Sequence, residues 1–318
     1  MKKLTITEAA ALLQKRDNFL IISHRRPDGD ALGSAAGLCC GLREMGKTAY
    51  TLENPQATEK FLPYITEFYA PRDYKYDCLI STDLADESII QYNAEALCGK
   101  VELSIDHHPS NSGYAENVAV LPERASCGEV VQLILKQLPC GISPRTATLL
   151  YFAVATDCGC FRYKNTTAET LRAAAELVDC GAPNGDLNKK LFMTKRKSRL
   201  MLEGMIISSL EFHMDGELVM ATVSDAMIAE CGAVEDDLDD VAVIAGQVEG
   251  VETSITLRQA DGGWKASVRT VNYANANAIC AQLGGGGHGM AAGCVMHCGL
   301  DEAKRRMLEA ARRVWKQQ

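Results

Sequence analysis

The chain has 318 residues, 47% of them hydrophobic, and is long enough to form two domains with substantial cores. No apolar run approaches the roughly 20 residues that cross a bilayer, and the first residues resemble a helix start and not a secretory signal, so we expect a cytoplasmic protein without membrane contact. A net charge of −8 argues against a broad surface for duplex DNA, although a short anionic substrate in a local basic pocket is compatible with it. The 13 cysteines form no CxxC pair and lie mostly in apolar segments, which indicates reduced, buried thiols.

The first half of the chain alternates strand-like and helix-like segments. Apolar runs predict strands over 19–22, 48–52, 77–82 and 101–105. Helical spacing predicts helices over 7–16, 30–45, 88–98, 126–138, 143–155 and 167–179, with Thr7 as the first N-cap. This order indicates an α/β fold with a mainly parallel sheet flanked by helices, in an N-terminal domain over 1–185.

The loop after the strand at 19–22 carries one imidazole and two carboxylates within seven residues. Pro27 and Gly29 suit a tight turn that can direct His24, Asp28 and Asp30 into one cavity. The alternative is an ordinary loop in which Asp30 caps the following helix. That alternative explains Asp30 but neither His24 nor Asp28.

Further polar groups stand at the ends of three other apolar segments. Asp83, Asp106 and Asp157 each end such a segment, and His107 and His108 directly follow Asp106. Taken singly, an aspartate at this position often caps the next helix. Because ligands in open α/β sheets bind beyond the carboxyl ends of the strands, we expect these groups and those of the first loop to converge.

The predicted set is rich in oxygen ligands and contains no thiolate. It comprises five carboxylates and three imidazoles: Asp28, Asp30, Asp83, Asp106, Asp157, His24, His107 and His108. Hard ligands of this kind favour Mn²⁺ or Mg²⁺, with Fe, Co or Zn as substitutes. The set is too large for one ion, so we predict two divalent ions with one bridging carboxylate. Such a pair can activate water and stabilise both oxygens of an in-line phosphoryl displacement.

The second half begins with a basic join over 186–204 that has helical periodicity. A charge run of this kind is typical of a solvated helix face, and a wall that attracts phosphate is the alternative. Beyond it, the spacing predicts hairpins over 211–223 and 252–269 and helices over 225–231, 236–246 and 275–283. We interpret 205–318 as a smaller C-terminal α/β domain.

Near the end of the chain, four glycines at 284–287 are followed by His288. Because glycines expose backbone N–H groups without an obstructing Cβ, Gly285, Gly286 and Gly287 can form a nest for an anion, to which His288 adds a donor. A flexible loop is the usual alternative, but such loops more often contain Ser or Asn. Arg269 ends a predicted strand and offers a planar fork for bidentate phosphate binding.

The motifs, in this order, resemble a known family. The set from His24 to Asp157 is similar to that of the DHH phosphoesterase superfamily, and the stretch 284–288 is similar to the GGGGH motif of the DHHA1 domain. Within the superfamily, the chain resembles the bifunctional oligoribonucleases and 3′-phosphoadenosine-5′-phosphate phosphatases, called nanoRNases. The resemblance implies a hydrolase with two Mn²⁺ ions that acts on short RNA such as pApA or pGpG, and on mononucleotide bisphosphates.

The resemblance also implies a role for each site residue. One Mn²⁺ would be held by His24, Asp28 and Asp83. The other would be held by Asp30, Asp83, His107 and Asp157, so that Asp83 bridges the two ions. Asp106 would orient the ligands, and His108 would contact the scissile phosphate or its water. The terminal phosphate of the substrate would be bound by Arg269, Gly285, Gly286, Gly287 and His288, and a homodimer is also implied.

Several other functions remain open at this stage. A soluble cyclic-dinucleotide phosphodiesterase or a pyrophosphatase would use the same metal ligands, although pyrophosphatases of this superfamily carry a different second domain. A catalytically silent nucleotide-binding module would not need the complete ligand set that is present here. A processive exonuclease would need a long basic channel lined with aromatic residues, which 6% aromatic content does not favour.

Overall fold

The computed structural model describes residues 1–260 and 262–315. The chain divides into two units with their own internal packing, one over residues 1–194 and one from Lys195 onward. The predicted join over 186–204 spans this division.

The first unit is built on a six-stranded sheet whose neighbouring strands are all parallel. Its strands are β1 (Lys2–Lys3), β2 (Phe19–Ile22), β3 (Ala49–Thr51), β4 (Cys78–Thr82), β5 (Leu103–Asp106) and β6 (Asn117–Val120). They lie in the order β1-β6-β5-β4-β2-β3. The predicted parallel sheet is therefore confirmed. Strands β1 and β6 were not predicted.

Both faces of this sheet are buried. In β2, Phe19 and Ile21 pack into one core cluster, whereas Leu20 and Ile22 pack into another. Burial on both faces explains why the strands are continuous apolar runs. The helices of this unit are α1 (Ile6–Lys15), α2 (Gly29–Glu44), α3 (Leu62–Ile65), α4 (Cys127–Leu135), α5 (Pro144–Asp157), α6 (Ala168–Asp179) and α7 (Asn184–Asn188).

Two helix predictions in the first unit were wrong in detail. Residues 88–98 do not form one α-helix but contribute to two 3₁₀ helices, Glu87–Ile89 and Tyr92–Leu97. The cap of α1 is Thr5 and not Thr7, because the Thr5 hydroxyl accepts the Glu8 N–H and the Glu8 carboxylate accepts the Thr5 N–H.

Helices α2 and α5 pack antiparallel at short range. A Cβ at Gly33 would lie 2.8 Å from the Leu149 carbonyl oxygen, and a Cβ at Gly29 would lie 2.4 Å from the Thr156 hydroxyl oxygen. Only glycine permits this approach without displacement of the partner helix. As a result, the first turn of α2 lies beside the last turn of α5.

The second unit contains a sheet with the strand order β11-β12-β10-β9-β8-β7. Its strands are β7 (Glu211–His213), β8 (Leu218–Val223), β9 (Thr253–Ala260), β10 (Gly263–Thr270), β11 (Gly286–Gly287) and β12 (Ala291–Met296). Both predicted hairpins, β7–β8 and β9–β10, are confirmed as antiparallel pairs. The helices are α8 (Lys197–Ser208), α9 (Asp225–Cys231), α10 (Ala276–Ala281) and α11 (Leu300–Trp315).

The helix predicted over 236–246 was wrong. This region forms three separate 3₁₀ segments, Glu235–Leu238, Val241–Val243 and Ala245–Gln247, and Asp240 between the first two has a left-handed φ of 56° that interrupts a helix. Across the described residues, no helix has both the length and the apolar character that spanning a membrane requires.

Candidate active site

The order in which the chain adds strands to the parallel sheet reverses between β2 and β4. From β2 the chain adds β3 on one side, and then β4, β5 and β6 on the other. Ligands in open α/β sheets bind at the carboxyl ends of the strands at such a switch point. His24 lies two residues beyond β2, Asp83 directly follows β4, and Asp106 ends β5. The topology therefore brings these predicted residues to one edge of the sheet.

His24, Asp28 and Asp83 form one cluster, in which the ligand atoms lie within 4.8 Å of one another. Nδ1 of His24 donates to the Arg25 carbonyl at 2.8 Å. Because a carbonyl only accepts, this hydrogen bond fixes the tautomer and directs Nε2 toward Asp83 Oδ2, which is 3.6 Å away.

Asp28 and Asp30 have different tasks at the start of α2. Asp28 is the N-cap, since its Oδ1 accepts the Ala31 N–H at 3.0 Å, so the cap considered for Asp30 belongs to Asp28. Asp30 is completely buried, and its carboxylate accepts the Ser34 hydroxyl at 2.8 Å and the first two N–H groups of α4 at 2.6 and 2.9 Å. The N-terminus of α4 therefore stabilises the Asp30 carboxylate.

Asp30, His107 and Asp157 form a second cluster. Nδ1 of His107 donates to the Arg124 carbonyl at 3.2 Å, and Nε2 lies 3.4 Å from Asp83 Oδ1 and 3.8 Å from Asp30 Oδ2. Asp157 is the last residue of α5, so the helix that was predicted over 143–155 delivers it. The close packing of α2 and α5 places it beside Asp30.

Asp106 and His108 belong to a third cluster with Asp83 and His107. Oδ1 of the buried Asp106 accepts the N–H groups of His107 and His108 at 2.7 and 3.2 Å, and the His108 Nδ1 at 2.8 Å. Its Oδ2 accepts the Asn111 side-chain amide at 2.6 Å. Both oxygens of Asp106 are thus engaged in orienting neighbours, and Nε2 is the atom that His108 can offer to a ligand.

The cluster has unusual electrostatics. Burial favours a neutral ring, but hydrogen bonding to Asp83 outweighs it and raises the pKa of His24 to about 9 and that of His107 to about 10. Burial opposes ionisation of Asp83, yet hydrogen bonds from both imidazoles lower its pKa. Burial and repulsion from other carboxylates raise the pKa of Asp157 to about 6 and that of Asp30 well above its ordinary value.

The donor set fits hard divalent cations. Oδ1 of Asp83 is buried, and the ring nitrogens that face it, His107 Nε2 at 3.4 Å and His108 Nδ1 at 3.6 Å, lie beyond the usual length of a hydrogen bond. Four carboxylates (Asp28, Asp30, Asp83 and Asp157) surround two imidazoles, and buried carboxylates that repel one another are stabilised by a cation. All of these ligand atoms are oxygen or nitrogen, as hard or borderline divalent ions prefer.

Metal affinity should increase as the pH rises from 6 to about 9. In the metal-free site the raised pKa values leave His24 and His107 protonated at neutral pH, and a ligand must lose its proton before it binds a metal. Titrating Mn²⁺ calorimetrically in buffers of different ionisation enthalpy should show net proton release at pH 7. Equal affinity at pH 6 and pH 8, with no proton release, would contradict this prediction.

The glycine–histidine stretch at 284–288 connects α10 to β12. Gly287 has a φ of 151°, and a Cβ at Gly285 would lie 2.2 Å from a carbonyl oxygen of β12, so both positions require glycine. The N–H groups of Gly285 and His288 donate to carbonyls of α10 and β12 at 3.0 and 2.8 Å. These two N–H groups are therefore engaged, which corrects the predicted nest, and Gly286, Gly287 and His288 present an exposed backbone surface.

Arg269 lies close to this stretch in the sheet register. It is exposed near the end of β10, opposite Ala291 of β12, while Gly287 of β11 pairs with Ala292 from the other side. An arginine and a bare backbone surface thus flank the same part of β12.

Three of the six basic side chains of the join pair with acidic groups. Lys195 and Arg199 both pair with Glu203, at 2.8 and 2.7 Å, and Arg196 lies 3.8 Å from Asp236. Of the two interpretations that the charge run allowed, these contacts favour a structural helix face.

Two asparagines that the sequence analysis did not single out hold site carboxylates. Asn111 donates to Asp106, as described above, and also to the Leu84 carbonyl at 3.3 Å. The Asn165 amide lies 3.2 Å from Asp157 Oδ2. Asn111 follows Asp106 by five residues and Asn165 follows Asp157 by eight. A polar side chain soon after each motif was therefore the sequence feature that could have indicated them.

The first unit has a carboxylate–imidazole site at the switch point of a parallel sheet, and the second unit has an arginine beside a glycine–histidine loop. These features define a two-domain phosphoesterase, which is a hydrolase of phosphoester bonds. The chain belongs to the DHH family. The model of the DHH family, N-terminal domain, matches residues 18–156, and that of the DHHA1 domain matches residues 220–317.

Known proteins resemble the chain over most of its length. It is 34% identical to the bifunctional oligoribonuclease and PAP phosphatase NrnA of Thermus thermophilus, and the match covers 92% of this chain and 88% of that protein. It is 26% identical to the protein of the same name from Bacillus subtilis, over 94% and 95% of the two chains. The crystal structure of an exopolyphosphatase-related protein from Bacteroides fragilis shares the fold, with a TM-score of 0.85, 23% identity and coverage of 97% and 95%.

Proposed function

We propose that this enzyme is a nanoRNase that uses two Mn²⁺ ions to hydrolyse short 5′-phosphorylated oligoribonucleotides and 3′-phosphoadenosine-5′-phosphate. The observation that carries the proposal is the pair of ligand clusters on either side of Asp83, which is what a two-ion phosphoesterase site requires. The Thermus thermophilus relative matches 92% of this chain and is named an oligoribonuclease and PAP phosphatase, which supports this class of substrates.

The metal-binding residues are assigned to the domain 1–185. His24 and Asp28 on one side of Asp83, and Asp30, His107 and Asp157 on the other, would hold the two ions. When bound, the ions supply an activated water and stabilise negative charge on the phosphate under attack. The protein contributes the orientation, because carbonyl hydrogen bonds direct the Nε2 atom of each imidazole into the site.

His108 would act on the substrate itself. Its hydrogen bond to Asp106 raises its pKa, which favours the form in which Nε2 has a proton to donate to an oxygen of the scissile phosphate. The side chain is 40% exposed, whereas that of Asp83 is 3% exposed, so a substrate can reach it. Asp106 holds the ring in place.

The terminal phosphate of the substrate is assigned to the domain 205–318. Arg269 offers two parallel N–H donors to a phosphate. Gly285 and Gly287 hold the loop against β12, Gly286 lets the phosphate approach the backbone without a Cβ in the way, and His288 adds a ring donor. Recognition of a terminal phosphate favours short substrates, because a fixed grip on one end sets the distance to the scissile bond.

A side-by-side assay tests this function. Purified protein is incubated with Mn²⁺ and with pApA, pGpG, 3′-phosphoadenosine-5′-phosphate, a cyclic dinucleotide or pyrophosphate, with chelator as the control. We expect the linear dinucleotides and the bisphosphate to be hydrolysed and the cyclic compound and pyrophosphate to remain intact. Cleavage of the cyclic compound alone would replace the proposal with a cyclic-dinucleotide phosphodiesterase. Nucleotide binding without any hydrolysis would make the protein a silent binding module.

A further inference from the structure

One short segment, 124–128, contacts Asp30 and His107 directly and reaches Asp157 through one intervening side chain. Its first carbonyl, that of Arg124, accepts Nδ1 of His107 at 3.2 Å and thereby orients the ring. Its last two N–H groups, which begin α4, donate to both oxygens of Asp30 at 2.6 and 2.9 Å. The position of this segment therefore decides where two of the three ligands point.

The same segment reaches Asp157 through Asn165. The Asn165 amide donates to the Ala125 carbonyl at 3.2 Å and lies 3.2 Å from Asp157 Oδ2. All three ligands of the cluster thus depend on one stretch of five residues.

Glu129, on the first turn of α4, anchors this stretch. Its side chain is 1% exposed, and Oε1 accepts the Ala125 N–H at 3.2 Å and the Thr170 hydroxyl at 2.8 Å. Oε2 lies 3.6 Å from the Arg124 guanidinium. The buried carboxylate ties the segment to helix α6 and balances the charge of its first residue.

The cluster on the other side of Asp83 has different supports. The His24 ring is held by the Arg25 carbonyl, and Asp28 by the Ala31 N–H. Neither support lies in 124–129, so a change at Glu129 reaches one cluster directly and leaves the supports of the other intact.

We propose that Glu129 is a positioning residue for the ion that Asp30, His107 and Asp157 would hold, and not for the ion at His24 and Asp28. The inference rests on the proposed two-ion function. Its physical basis is that outer partners of metal ligands fix ligand orientation, and their loss typically lowers metal affinity about 10- to 100-fold.

Mn²⁺ titration of metal-free protein by calorimetry tests this assignment without reference to activity. Wild type should bind two ions, and Glu129→Leu should bind one of them about 10- to 100-fold more weakly while the other keeps its affinity. Glu129→Gln keeps Oε1 as an acceptor and should restore both sites. Asp28→Asn should weaken the opposite site, and the double variant Asp28→Asn/Glu129→Leu should weaken both.

Glu176→Leu is the matched control, because Glu176 on α6 is 51% exposed and its carboxylate pairs with Gln132 and Lys136, so both affinities should stay unchanged. If Glu129→Leu does not fold, Asn165→Leu replaces it and should weaken the same site. Two unchanged sites, or equal weakening of both, in a folded Glu129→Leu protein would overturn the inference. Wild type that binds two ions but hydrolyses no nucleotide would overturn the proposed function and leave the assignment of Glu129 standing.

Discussion

Replacing Asp83 by alanine should reduce phosphoester hydrolysis by about 10³-fold or more, because several kcal/mol of transition-state stabilisation depend on the ions that this carboxylate would bridge. The two oxygens of Asp83 face ligands of both clusters, with His24 at 3.6 Å and His107 at 3.4 Å. Calorimetry should also show that Mn²⁺ binding is lost or strongly weakened at both sites. Initial rates with pApA measure the first effect.

The backbone at Asp83 requires a second variant. Its φ is 54°, a left-handed conformation that asparagine tolerates better than alanine does. Asp83→Asn keeps the shape and the local fold but removes the charge, so it should be nearly as inactive as Asp83→Ala while its thermal unfolding without metal stays cooperative. A folded Asn variant with more than a tenth of wild-type activity would show that Asp83 does not bridge the ions.

Replacing Arg269 by alanine should raise the KM for pApA about 10- to 100-fold, since hydrogen bonds to charged groups contribute about 1.5–3 kcal/mol. The value of kcat should change much less, because the proposed contact is with the terminal phosphate and not with the scissile one. ApA, which lacks the 5′-phosphate, should be a poor substrate for wild type and should be affected little by the substitution. Steady-state kinetics with both dinucleotides measure the difference.

Arg258→Ala is the matched control for Arg269. Arg258 lies on the neighbouring strand β9 and is already paired with Glu235 at 3.0 Å, so we expect an unchanged KM. A similar rise in KM in both variants would point to a general loss of positive charge. An unchanged KM in Arg269→Ala would remove Arg269 from the phosphate site.

Most of the architecture of the first unit was visible in the sequence because most of its strands, unlike the exposed β1, are short, apolar and buried. The strands Phe19–Ile22 and Cys78–Thr82 contain no polar side chains other than hydroxyl groups, so each is a continuous apolar run. Parallel strands must end at one edge, and this rule alone predicted that the groups following β2, β4 and β5 would meet. The structure brings them together as expected.

Helix predictions from local sequence spacing were wrong in two segments. Residues 88–98 and 236–246 have apolar residues at helical spacing but form 3₁₀ segments, so tertiary contacts and not propensity decide their shape. Helix α11 has strong amphipathic spacing and was not predicted, although the pattern was present.

The amino-acid sequence predicted which side chains would hold the metal ions, because the residue types and their positions at the ends of apolar segments can be read from it. It did not determine their tasks at the start of α2, where Asp28 caps the helix and Asp30 is held by N–H groups 97 and 98 residues away. Nor did it show that Glu129 anchors the segment behind Asp30 and His107. Contacts of this kind join residues far apart in the sequence, and only the packing of α2, α4, α5 and α6 around the sheet specifies them.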